Sequence, residues 1–131
     1  MTFIAPIGAT AEQTAMMEQI FDDLGKTYIT DEARLEAGTV LASCGIAYAM
    51  RYIRAAAEGG VELGFSADVA KDIVLQTVKG AVALLQASGN HPEAEIDKVT
   101  TAGGTTIKGL NEMEHAGFTS AVIRGLKAAS E

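Results

Sequence analysis

From Asp31 to the end of this 131-residue chain there is no strand pattern, only apolar residues returning at helical spacing. A hundred residues of helix without a sheet must bury their apolar stripes against one another or against another chain. Val69, Ile73, Val74, Val78, Val82 and Leu85 mark one stripe, with Ser66 placed to cap its helix and "SGN" (88–90) to end it. Ile46, Met50, Ile53, Ala57 and Val61 mark another, which reaches Leu63 and stops at Gly64. Ahead of it a helix is expected over about 31–42, interrupted at "SCG" (43–45). "HPEAEIDKV" (91–99) reads as a short helix with Pro92 in its first turn, followed by helices over about 105–115 and 118–129.

The first thirty residues are of another kind. "TFIAP" (2–6) and "KTYIT" (26–30) read as short strands. Between them lies a helix with Thr10 and Gln13 in capping-box spacing and Met16, Met17, Ile20, Phe21 and Leu24 as its apolar face; Gly25 stops it. Two short strands do not make a stable sheet. This piece therefore reads as the edge of a sheet whose other strands lie elsewhere, which divides the chain into residues 1–30 and 31–131.

The helices are rich in Ala and Gly, as in "GIAYA" (45–49), "AAAEGG" (55–60) and "KGAVA" (79–83). Small residues allow close helix approach but bury little apolar area each. Such helices complete a core with a partner chain, so an oligomer is expected, with a monomeric bundle as the alternative. A net charge of −7 with ten scattered basic residues argues against nucleic acid as a partner. Apolar stretches are broken well short of a membrane span. The single cysteine, Cys44, reads as a small buried hydrophobe in a reduced, cytoplasmic protein.

Chemistry concentrates in "VTTAGGTTIKGL" (99–110). Gly103 and Gly104 followed by a helix start leave backbone N–H groups pointing one way, where the helix dipole adds partial positive charge. A carboxylate or phosphate is the natural guest, and Thr105 and Thr106 could cap the helix or donate to that guest. The same residues also suit a plain turn and cap. Elsewhere signals are weak. His91 reads as a turn residue and His115 as a last-turn cation, neither at metal-ligand spacing, so no metal is expected. Asp22, Asp23, Glu112 and Glu114 read as solvated charges. No G-x-G-x-x-G follows a strand, so cofactor-binding residues are not expected here.

Taken in order, "GIAYAMRYIRAAAEGGVELGF", "QTVKGAVALL" and "SGNHPEAEIDKVTTAGGTTIKGLNEMEHAGF" resemble the C-terminal domain of the pyrroline-5-carboxylate reductases. That family carries G-P-A-Y, A-x-Q-T-x-x-G-A and H-P…V-T-S-P-G-G-T-T-x-x-G-L in the same sequence. The resemblance covers residues 31–130, and residues 1–30 look like the last strand-helix-strand of the family's Rossmann domain. It implies a mainly α chain: a helical dimerisation and substrate-binding domain, like the C-terminal domain of 6-phosphogluconate dehydrogenase, preceded by a β-α-β remnant. It further implies reduction of the C=N bond of pyrroline-5-carboxylate to proline with NADP or NAD as cofactor, and a homodimer or higher homo-oligomer. This chain, a fragment without the cofactor half, is expected to be inactive alone. By resemblance, Thr101, Gly103, Gly104, Thr105 and Thr106 bind substrate, their amides toward its carboxylate. Thr106 is the catalytic residue, beside the ring nitrogen. Two alternatives are a divergent reductase of another cyclic imine or small acid, and a helical dimerisation module without catalysis. The family's prolines before A-Y and before G-G are Ile46 and Ala102 here, changes expected to loosen each segment by up to ~1 kcal/mol through the unfolded state.

Overall fold

The computed structural model describes residues 1–130. Strand β1 (Thr2–Ile4) leads through helix α1 (Ala11–Asp22) to strand β2 (Thr27–Ile29). The two strands pair in parallel, with Phe3 opposite Tyr28 and Ile4 opposite Ile29. α1 starts at the expected capping box, in which the Gln13 amide donates to Thr10 Oγ1 and the Thr10 amide to Gln13 Oε1. Its expected apolar face is left largely open, Met16, Ile20 and Leu24 among it. Asp22, expected to be a solvated charge, has a structural duty: its Oδ1 accepts the Thr27 amide at 2.9 Å and fixes the entry to β2.

The expected break at 43–45 is absent. A 3-10 turn (Glu32–Arg34) enters helix α2 (Leu35–Thr39), which passes through a π-helical stretch (Val40–Cys44) directly into α3 (Gly45–Glu62). Ser, Cys and Gly are poor helix formers, but the wider π turn keeps the chain helical where their intrinsic preference would end it. Ile46 retains the backbone N–H that proline would lack inside this uninterrupted helix. Cys44 is half-buried rather than buried. Then follow α4 (Ala67–Ser88), α5 (Pro92–Lys98), α6 (Thr105–His115) and α7 (Phe118–Ala128), within a residue or two of expectation. Ser66 stands at the N-cap of α4 in extended conformation, yet its hydroxyl makes no capping bond.

The chain forms two compact units, residues 1–47 with those from 124 onward, and residues 48–123. In the first, Val40 is buried and Phe3 meets Tyr28 edge-on, ring centres 6.0 Å apart. In the second, Ala70 is 2% exposed and faces Gly60, while Tyr52 meets Phe118 at 6.4 Å. The α4 stripe divides: Val74, Val78 and Leu85 are half-buried, while Val69, Ile73 and Val82 stay about half exposed. Among the described residues no helix is long and apolar enough to cross a membrane.

A Cβ at Gly60 would lie 2.9 Å from the Ala70 Cβ, and neither short side chain can rotate away. Gly60→Ala therefore pushes α3 from α4, an overpacking of about 1–3 kcal/mol that outweighs the ~1 kcal/mol gained in helix propensity. Thermal and urea unfolding should show a lower midpoint; an unchanged or higher one would show that the two helices separate freely.

Candidate functional site

The loop between α5 and α6 is built by local bonds. Thr100 Oγ1 donates back to the Ile96 carbonyl at 2.7 Å, anchoring the loop to the end of α5. The Gly104 amide donates to the Thr101 carbonyl at 3.0 Å, closing a β-turn over Thr101–Gly104. Gly103, third in that turn, has φ +70°, and no non-glycine residue among those described has positive φ. A turn with a left-handed third residue and an ordinary second one is type II, which calls for Gly at the third position and favours Pro at the second. Ala102 is that second residue. Gly104 packs too closely for a side chain, since a Cβ would fall 2.5 Å from Thr101 Oγ1.

Gly104 then takes the N-cap of α6 in extended conformation (φ −67°, ψ 171°) with no side chain to cap it. Thr105 and Thr106 are the first two helical residues, so neither acts as the cap that the sequence allowed. Their amides, like that of Gly103, carry no hydrogen bond among the described residues, and both hydroxyls are likewise unpartnered. Thr101, Thr105 and Thr106 are exposed. The first turn of α6 holds no acidic residue, whereas those of α1, α4 and α5 do. The dipole's partial positive charge at this end is thus left uncompensated by the chain itself. Thr101, Gly103, Gly104, Thr105 and Thr106 are brought together in one turn and helix start that offers main-chain N–H groups and two hydroxyls. Such a set can receive an anion and place a hydroxyl beside it.

Other candidates have local duties. His91 caps α5, its Nδ1 accepting the Glu93 amide at 3.3 Å. His115 stands 3.9 Å from Glu112, both exposed. Glu114 accepts the Thr119 hydroxyl at 2.7 Å, more than the solvated role expected of it. Among the described residues no group of three or more His, Cys, Asp or Glu could hold a metal ion. Sequence reading missed Glu95, a 6%-exposed carboxylate on α5 whose Oε1 accepts from Asn90 Nδ2 at 2.7 Å and Lys98 Nζ at 2.8 Å. The Glu-x-x-Lys spacing was its one signal. Two open apolar grooves lie between α3 and α4, one walled by Met50, Ile53, Val61 and Leu75; neither includes any of residues 101–106.

Residues 32–131 match the family model for pyrroline-5-carboxylate reductase dimerisation. Over 87% of its length the chain is 52% identical to pyrroline-5-carboxylate reductase 1 of Dictyostelium discoideum, and the match spans 21% of that protein. Pyrroline-5-carboxylate reductase 2 of the same organism is 45% identical over 92% of the chain and 41% of its own length. The fold is similar to that of a Plasmodium falciparum pyrroline carboxylate reductase solved with NADP bound, with TM-score 0.85 and 28% identity over 93% of this chain and 47% of that one. The chain thus spans less than half the length of these relatives.

The type II turn predicts two substitutions of opposite sign. Ala102→Pro meets the turn's preferred backbone and removes no hydrogen bond, so it should stabilise by about 0.4–1 kcal/mol. Gly103→Ala forces a side chain into the left-handed region and should destabilise by about 1–2 kcal/mol. Denaturant midpoints of the two variants check both, and equal shifts in one direction would exclude this turn geometry.

Proposed function

This chain belongs to the pyrroline-5-carboxylate reductase dimerisation family, and on that premise we propose that it is the dimerisation and substrate-binding part of a pyrroline-5-carboxylate reductase. The whole enzyme reduces the C=N bond of 1-pyrroline-5-carboxylate to L-proline with NADPH or NADH. In this reading residues 1–30 are the end of the nucleotide-binding domain and residues 31–131 the dimerisation and substrate domain. The observation that carries it is the uncapped start of α6, where the Gly103, Thr105 and Thr106 amides and the Thr105 and Thr106 hydroxyls stand without partners behind the type II turn.

The substrate is a small ring bearing a carboxylate and an imine nitrogen. The carboxylate accepts from the Gly103, Thr105 and Thr106 amides, at the end of a dipole that favours negative charge. That contact leaves the ring nitrogen toward the Thr106 hydroxyl, which bonds to it as charge develops there. A reduced nicotinamide supplies the hydride when bound. The β1–α1 connection (Ala5–Thr10) holds one glycine, Gly8, rather than a three-glycine phosphate cradle, so its residues do not fit that cofactor. The chain's own work is orientation and charge placement.

A second copy of the chain completes the core. The open faces of α3 and α4, with Met50, Val69, Ile73 and Val82, are the surface such an association would cover. A reduced, cytoplasmic setting suits the lone Cys44.

Proline, the product, carries the same carboxylate. Titrated into this chain, it should shift amide resonances clustered at residues 101–106. Thr106→Ala should weaken binding about 2- to 10-fold, the worth of one neutral hydrogen bond. Shifts elsewhere, or none at millimolar proline, would remove the loop from substrate binding. Sedimentation equilibrium of the same sample should give a dimer or larger; a monomer would leave the apolar faces without their assigned cover.

A further inference from the structure

We propose that Glu95 is a positioning residue for the Thr101–Thr106 turn, holding α5 in place so that the turn and the α6 amides face a carboxylate ligand together. This rests on the substrate reading above and adds a residue that does not touch the substrate.

A seven-residue helix is too short to be stable by itself, so α5 depends on its anchors. At its start, His91 caps it and Pro92 presets its first turn. Its one buried residue is Glu95, and that residue is charged. Burying a carboxylate is unfavourable unless it is paired, and an apolar side chain would fill the same place without that cost. The carboxylate meets the condition by bonding in two directions. Asn90 donates to it from the α4–α5 connection, and the Asn90 amide in turn donates to Ser88 Oγ at the last residue of α4. Lys98 donates to it from the last turn of α5. The Lys98 ammonium, followed by Asn90, holds the Glu95 carboxyl below the usual carboxylate range, so the pair is ionised at neutral pH. Glu95 thereby ties the end of α4 to both ends of α5.

From α5 the bonds run directly to the site. The Val99 amide donates to the Ile96 carbonyl, the Thr100 amide to Asp97, the Thr100 hydroxyl to Ile96, and the Gly104 amide to Thr101. No long flexible segment separates the clamp from the turn. If α5 tilts, the turn moves with it. The N–H groups of Gly103 on one side and Thr105 and Thr106 on the other then no longer converge.

Two substitutions in this chain test the role. Glu95→Leu puts an apolar side chain in the buried place and leaves Lys98, whose side chain is 60% exposed, as a solvated cation rather than a buried unpaired one, so the helix should stay folded. Glu95→Gln keeps the acceptor for Asn90 and loses only the charge. Thermal midpoint, amide shifts and exchange at residues 101–106, and proline affinity are read together. The expected result is Glu95→Leu with a near wild-type midpoint, displaced and faster-exchanging amides at 101–106, and proline binding weaker by about fivefold or more. Glu95→Gln should stay within about twofold. Wild-type amides and affinity in a folded Glu95→Leu protein would overturn the proposal. Should Glu95→Leu not fold, Lys98→Met, which removes one arm of the clamp, takes its place with the same expected displacement. Failure of the wild-type chain to bind proline would count against the substrate reading alone, because the amide shifts and exchange judge the clamp without ligand.

Discussion

The close approach of Gly60 to Ala70 sets the terms for the rest of the helical unit. It brings α3 and α4 together over small side chains, and Ala70 becomes one of only two buried apolar residues among those described. Contact of this kind fixes helix geometry but removes little apolar surface from water, at roughly 25 cal/mol per Å². Little of the apolar surface of the larger side chains is covered by that contact. Val74, Val78 and Leu85 are only half-buried, and Met50, Val69, Ile73 and Val82 are open. A helix apolar on more than one side is the pattern of an element buried on more than one side. Open faces on α3 and α4 are what membership of a dimerisation family leads one to expect.

Against that background the α6 start works by different means. Nothing in it depends on a deep core. Its geometry follows from a four-residue turn, one left-handed glycine and one bond from Gly104 to Thr101. The donors it presents are mainly main-chain N–H groups, which occur in any sequence that keeps the turn. Ala102 in the family's proline position does not alter the turn type; it leaves the unfolded chain with more freedom. A site of this construction depends on how its segment is held at both ends. The helix fixes one end, and α5 with its Glu95 clamp fixes the other.

Much of this was legible in the chain itself. Pro92, the Gly103–Gly104 pair and the resumed periodicity at Thr105 placed α5 and α6 closely, because each signal is local and backbone-driven. The capping box of α1 was legible for the same reason. The π-helical stretch at Val40–Cys44 was not, since poor helix formers are carried there by the helices on either side. Nor could the sequence reveal that Gly104, rather than a threonine, takes the N-cap of α6; one residue of register decides it and leaves both hydroxyls free. Asp22 read as a surface charge and Glu95 was passed over, because a pattern of residue types does not show which amide or ammonium will face a carboxylate.

Register is the link between these cases. Had Thr105 been the cap, its hydroxyl would have accepted an amide of the first turn, and that donor would have been lost to any ligand. With glycine there, no side chain competes, and the first-turn amides and both threonine hydroxyls remain open together. An ordinary helix gains about 1 kcal/mol from a good side-chain cap. Glycine at that position gives up only a few tenths of a kcal/mol of it, so the α6 start keeps nearly all its stability while leaving its donors open to the anion proposed for it.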